Sequence, residues 1–588
     1  MQSRYIALIR SAVDANADLA ARFSARARDL EALDLRFDDG RVSVAVIGAM
    51  PLRLEGRGII LGSLFARGAA QPIRELDAVE RARIGATRGV HLIEHYWGRY
   101  VAILNEPDGH RVDIVRAPLG DLPCYVVEIE GVTVIASDVA LLVAFGLFTP
   151  VVAWDEVARH LATRDMRGPA TCFGGLRELP GGERLSIVGG KTVVEALWSP
   201  WAFADRGRQV DDADEAARRL RTTALECVAA RASEYGRVVL MLSGGLDSSI
   251  VAACLARQGL SFHSLTLVTQ DATGDERDYA RRTTQSLGAV LTEAYRDVSR
   301  IDIERSGAAH LPRPTVRAFV QESNRLATEA AETIGAGAIF NGGGGDNVFC
   351  SLQSTGPAAD RLLTSGLGPS FLRTARDISQ LAPASLWAVT SDAVRRAWLG
   401  KPAMRHVQDL SFLSPRAVAM VGPTNLHPWL VLPPGALPGK AMHIRLMAFA
   451  QSYVEGHDPQ DLLPTVSPLL SQPLVETCLG VPSWLWFEGG RNRVVARRAF
   501  AGDLPADVIW RRSKGTPDSF VAQIFETHRA AIRRMLADGE LAAHDMLDLP
   551  AVLGVLDDPR PVHGDAFRRI LQFADVEAWA RAWTRSGR

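Results

Sequence analysis

From Arg237 onward the apolar positions switch repeatedly between strand-length runs and helical spacing. VVLML (238–242), FHSLTLV (262–268), VLTEAY (290–295) and AIF (338–340) are short apolar runs. Between them SSIVAACLARQ (248–258), DERDYARRTTQSLG (275–288) and FVQESNRLATEAAETIG (319–335) place apolar residues on one helical face. Strand and helix in alternation predict a parallel sheet covered by helices. Residues before about 205 have another rhythm. RVSVAVIGAM, RGIILGSLF, HLIEHYWGRYVAIL, RVDIVRA, CYVVEIE and VTVIASDV are alternating or apolar runs, and turn residues such as Glu106–Gly109 divide several of them. That is hairpin spacing and predicts a β-rich unit. The polar stretch ADRGRQVDDADE (204–215) precedes the helical AARRLRTTALECVAARA (216–232), so the expected domains are 1–205 and 206–588. Beyond Cys350 the pattern is mostly helical, and 355–445 contains no chemical motif.

Composition narrows the class. A chain of 588 residues with 47% apolar and 23% charged positions can bury large cores in more than one domain. A net charge of −1 argues against binding a nucleic-acid backbone. The six cysteines include no CxxC pair, which excludes a zinc framework and suits the cytoplasm. No stretch has the length of a membrane span or the layout of a signal peptide.

The seam at 243–249, Ser-Gly-Gly-Leu-Asp-Ser-Ser, joins a strand to a helix. It reads either as a capped tight turn or as a phosphate cradle, since glycine backbone and a helix start both favour an anion. Asp247 suits a cradle only when a cation accompanies the phosphate. No GK[ST] follows, so this is not a Walker loop. A second glycine run, NGGGGDN (341–347), follows AIF and ends in another carboxylate, Asp346. Ligands of parallel sheets bind beyond the strands' carboxyl ends, so both loops are expected in one crevice.

SGGLDSS, GGGGD and RRSKG (511–515) together resemble the asparagine synthetase-like enzymes. VRAPLGDLPCY (115–125), VIASDVALL (134–142), GGLRELPGGERL (174–185) and LWSPW (197–201) are similar to the segments of that family's N-terminal half, in order. The resemblance implies an α+β N-terminal domain, a degenerate Ntn glutaminase-like β-sandwich. It further implies an α/β PP-loop synthetase domain with a parallel sheet and extra helices. It also implies ATP and Mg2+, with Ser243, Gly244, Gly245, Leu246, Asp247, Ser248, Ser249, Leu267, Gly344 and Gly345 around the nucleotide. Asp247 and Asp346 are the implied metal ligands.

Three departures from the family pattern sharpen the expectation. Position 2 is Gln2 where glutamine-using members carry a cysteine, which implies an inactive amidotransferase-like domain. Gly343 and Asn347 stand where relatives have acidic or tyrosine side chains, which implies room for a bulky amine. PTVSPLLSQPLVE (464–476) lacks the family's Arg–Glu pair, while SYVEGHDPQD (452–461) offers Glu455 as a base. Lys514 matches the catalytic lysine, in a chain with only four lysines among 66 basic residues. These features are most similar to lasso peptide cyclases. Such enzymes adenylate an Asp or Glu side chain of a precursor peptide, and its N-terminal amine then closes the ring. The expected partners are that precursor, a leader peptidase and a leader-recognition protein. A β-lactam synthetase-like or ammonia-dependent asparagine synthetase-like ligase acting on a small substrate is the alternative.

Overall fold

The computed structural model describes residues 4–10, 16–30, 33–48, 50–106, 110–269, 275–381, 384–399, 408–422, 427–454, 463–512, 518–562 and 564–585. Residues 4–196 contain two six-stranded sheets in which all pairings are antiparallel. In the first, Arg4–Ile9 lies between Val132–Ala136 and Val42–Ile47. In the second, the long strand Tyr96–Asn105 lies between Arg111–Arg116 and Gly58–Ala66.

Side-chain alternation explains why these strands stack. Tyr5, Ala7 and Ile9 pack with Ile59, Leu61, Val101 and Ile103 in a core between the two sheets. Their neighbours Ile6 and Leu8 face a different cluster with Leu19, Phe23, Leu142 and Val157, which come from helices. Ile60, Tyr100, Ala102 and Leu104 likewise turn outward against Ile84 and Leu92. Helices thus cover both outer faces of the sandwich, and strands that are apolar on both faces become necessary. The expected run HLIEHYWGRYVAIL divides here into a helix, Val90–His95, and a strand, Tyr96–Asn105.

The third sheet is parallel throughout, ordered Val290–Tyr295, Phe262–Val268, Val238–Met241, Ala338–Phe340, Thr465–Val466. Chain order runs outward from Val238–Met241 to one edge and then crosses to Ala338–Phe340. The topological switch therefore lies between these two adjacent strands. Thr465–Val466 was not expected as a strand, because two residues carry no readable period. One continuous core joins the outer face of the sandwich to the helices around this sheet, including Leu220, Ile250 and Leu474.

A buried charge cluster ties the halves together. Glu178 accepts hydrogen bonds from Arg116 at 2.5 Å, Arg167 at 2.9 Å and Arg313 at 2.7 Å. Burial pushes the Glu178 carboxyl up, but Arg167, Arg313 and Arg116 overcome it and hold the carboxyl well below the usual range. Arg116 and Glu178 lie in the RAPLG and RELPGG segments, so two of the family-like turns meet here. Arg167 also donates to the Gln451 carbonyl at 3.0 Å, and its N–H to Ser452 Oγ at 3.2 Å. It grips the last turn of the helix Pro438–Val454.

Candidate active site

Both glycine loops lie at the carboxyl ends of the two switch strands. The first helix starts at Leu246, two residues earlier than the sequence suggests, and Gly245 is its N-cap without a side-chain cap bond. The serines do not cap it but close the turn: Gly245 N–H donates to Ser243 Oγ at 3.3 Å, and Ser248 Oγ lies 3.2 Å from that same oxygen. The capped-turn reading therefore fails, and a helix start without a side-chain cap faces the crevice. Asp247, Ser248 and Ser249 are buried, and Ser243 is exposed at the mouth. Leu267 lies half-buried near the end of the adjacent strand, opposite Ala294.

The glycine run exists because the loops touch. A Cβ at Gly342 would lie 2.5 Å from the Ser248 backbone nitrogen, and one at Gly345 would lie 2.4 Å from Asp247 Cγ. Gly344 has φ +80° against the Leu470 side chain, a conformation open mainly to glycine. Asp346 then opens the short helix Gly345–Val348. Behind this helix His443 is fully buried, with Nε2 at 2.9 Å from the Val348 carbonyl oxygen. Burial, helped by the charge of Lys440, pushes the His443 imidazole down to about 3, so it stays neutral.

The carboxylates of Asp247 and Asp346 meet on Arg493, which sequence reasoning missed. Its Nη1 lies 3.1 and 3.2 Å from the two Asp247 oxygens and 2.5 Å from Asp346 Oδ1. A single cationic nitrogen against both carboxylates shows that the pair can share a cation. Two carboxylates beside a polyphosphate fit Mg2+, which keeps waters and takes few protein ligands. Among the described residues no group of three or more His, Cys, Asp or Glu forms a metal cage.

Gly343 corrects an expectation. Its missing side chain leaves no open room, because a Cβ there would meet Asn341 Oδ1 at 2.7 Å and Ser467 Oγ at 2.8 Å. Ser467 donates to Asn341 Oδ1 at 2.8 Å, and so does the Gly343 N–H. The slot is filled by a neighbouring pair. Asn347 donates to the Leu446 carbonyl at 2.6 Å, so it anchors the loop to the helix Pro438–Val454.

Lys514 and Glu455 both lie outside the described residues. The chain leading to Lys514 is firmly held. Arg497 donates to the carbonyls of Asn492, Ile509 and Arg511. Arg511 stacks 3.8 Å over the Tyr279 ring, pairs with Glu276 at 2.7 Å and lies 3.5 Å from the Gly244 carbonyl. Arg511 therefore lies at the rim of the 243–249 loop. Lysine rarity alone is not a mark of chemistry, since Lys440 is fully buried on the carbonyls of Leu479 and Val481.

The asparagine synthase family matches residues 219–581. The chain belongs to that family. The matched span contains both glycine loops, Asp247, Asp346 and Arg493. Two curated proteins are similar over part of the chain. Amidase chyE of Penicillium rubens is 25% identical over 288 residues, 45% of this chain and 41% of that protein. Amidase chry2 of Gibberella zeae is 26% identical over 286 residues, 44% and 41%. The chain thus spans about two-fifths of the length of these relatives. Among solved structures, an allosteric regulatory enzyme of purine biosynthesis covers 50% of this chain and 80% of its own at 9% identity, TM-score 0.21. The glutamine phosphoribosylpyrophosphate amidotransferase of B. subtilis gives 50%, 81%, 10% and 0.19. Among the described residues no helix is long and apolar enough to cross a membrane.

Proposed function

We propose that this protein is an AMP-forming carbon–nitrogen ligase that closes a macrolactam ring in a ribosomal precursor peptide, working in the cytoplasm. The ligase half rests on one observation: Asp247 and Asp346 share a cation at the switch point of a parallel sheet, between two interlocked glycine loops. In this reading the 243–249 loop takes the pyrophosphate end of ATP, with Gly344 and Gly345 closing over it. The backbone at Leu267 takes the adenine. Asp247 and Asp346 hold Mg2+, which when bound neutralises the polyphosphate and eases departure of pyrophosphate.

A side-chain carboxylate of the peptide attacks the α-phosphorus, and pyrophosphate leaves. The N-terminal amine then attacks the acyl carbon, giving up its proton to Glu455 as the amide forms and AMP departs. Lys514 stabilises both charged transition states electrostatically. A folded precursor holding amine and adenylate together supplies proximity. Support for the peptide substrate comes from the departure at 464–476, where the family's Arg–Glu pair is absent. A leader peptidase and a leader-recognition protein would deliver the free N-terminus. The N-terminal sandwich serves as a scaffold: its cysteines, Cys124 and Cys172, are both buried, and burial pushes the Cys172 thiol up to about 12.

One observation favours a second reading. The Asn341–Ser467 pair fills the slot beside Gly343, which suits a small amine such as ammonia or an internal amine of a small substrate. One experiment separates the two. Purified protein with ATP, Mg2+, precursor peptide and peptidase should release AMP and pyrophosphate and yield a product lighter by one water than the cleaved core. ADP as product overturns both readings. AMP release dependent on a small amino acid, with no ring closure on any peptide, supports the second.

A further inference from the structure

We propose that Arg493 is the resident counter-ion of the Asp247–Asp346 pair and makes divalent-cation binding conditional on nucleotide. The carboxylates accept a metal only when a polyphosphate arrives to take the guanidinium. This rests on the nucleotide site assigned under Proposed function.

Three observations converge on Arg493. First, its Nη1 contacts oxygens of both aspartates, within 3.2 Å of three of them. A metal ion bridging the carboxylates needs that same position, so cation and guanidinium exclude each other. Second, the arginine is 8% exposed, yet its Nε has no hydrogen-bond partner among the described residues. A buried guanidinium N–H without an acceptor is costly. The fork is thus only partly used by the carboxylates, and it retains a donor suited to an incoming phosphate oxygen, the planar recognition at which arginine excels. Third, Arg493 has φ 55° and ψ 30°, left-handed values that a side chain disfavours, immediately before the helix Val494–Phe500. The chain accepts that conformation and aims the arginine into the metal position.

The consequence is an order of events. Without nucleotide the guanidinium offsets one of the pair's two negative charges and occupies the position between them, so a metal entering alone must displace a buried cation. With a polyphosphate present, the guanidinium exchanges carboxylate oxygens for phosphate oxygens and vacates the bridge. Metal and nucleotide therefore enter as one unit.

Mn2+ binding followed by electron paramagnetic resonance tests this on the full chain. Wild type should bind Mn2+ weakly without nucleotide and tightly with an ATP analogue that cannot be cleaved at the α,β bond. Arg493→Met should bind Mn2+ without nucleotide on the order of ten-fold more tightly than wild type and lose affinity for the analogue. Arg493→Lys, which keeps the charge but not the fork, should keep nucleotide-free Mn2+ binding as weak as in wild type while binding the analogue less tightly. Should removal of the arginine destabilise the fold, Mn2+ alone should raise the melting temperature of Arg493→Met and leave that of wild type in place. Equal nucleotide-free Mn2+ affinities, or equal melting shifts, overturn the proposal. If wild type fails to bind even the Mn2+–analogue pair, the nucleotide-site reading falls with it. If the pair binds and the nucleotide-free affinities are equal, only this inference falls.

Discussion

Gly345 and Asp247 are fitted to one another: a Cβ on the glycine would lie 2.4 Å from the aspartate Cγ. The second glycine loop therefore sets the place of the first loop's carboxylate. Gly345→Ala should push Asp247 off its position. Overpacking of this kind costs about 1–3 kcal/mol. Activity should fall further, by roughly 100-fold, because misplacement by about 1 Å is enough. Pyrophosphate release together with a thermal melt checks this, and full activity with an unchanged melt contradicts the fitted contact.

Lys514 should act in the transition state and contribute little to nucleotide binding. Lys514→Ala is expected to lower turnover by about 100- to 1,000-fold, the range for one lost oxyanion donor. Affinity for an ATP analogue should stay near wild type. Lys514→Arg should not restore turnover, because a planar fork cannot follow a moving charge as a compact ammonium does. Restored activity in that variant would show that any cation suffices.

His443 ties acid sensitivity to the loop carrying Asp346. Its folded value is pushed down to about 3, while an unfolded histidine titrates near 6.5. Below 6.5 the unfolded chain takes up a proton that the folded chain refuses. Stability is therefore complete above 6.5 and drains away as the pH falls towards 3. At pH 4.5 the loss amounts to about 3 kcal/mol. His443→Gln cannot take up this proton, so its urea midpoint should fall less than that of wild type between pH 6.5 and 4.5. Parallel curves for the two proteins would remove His443 from the account.

Glu178 holds three guanidiniums in the buried junction between sandwich and synthetase half. Glu178→Gln leaves those charges buried without their carboxylate and should cost about 3–5 kcal/mol. The denaturant midpoint should drop with little change in slope, the mark of lost stability without a new denatured state. A midpoint equal to wild type would mean that Arg116, Arg167 and Arg313 find other acceptors.

Much of the synthetase half was legible without a structure. FHSLTLV, VLTEAY and AIF coincide with the observed strands: AIF is a fully buried inner strand that leaves a short unbroken apolar run, while VLTEAY is the half-exposed edge strand and keeps Thr and Glu. The helix Val320–Ile334 follows its apolar spacing equally well. The sandwich was less legible. Its strands were visible, but the helices covering both faces were not singled out, and HLIEHY merged with the strand that follows it. Apolar runs of that length do not by themselves separate helix from strand.

The sequence by itself determined the two glycine loops, their carboxylates and the parallel sheet that carries them. Each of these is written in a contiguous stretch, through turn chemistry and hydrophobic period. Only the tertiary structure decided what stands between the carboxylates and beside Gly343. Arg493 reaches Asp247 across 246 positions and Asp346 across 147, and Ser467 reaches Asn341 across 126. An ion pair or hydrogen bond closed over such distances leaves no period along the chain. The fold creates it when it brings the ends of separate strands and helices to one crevice.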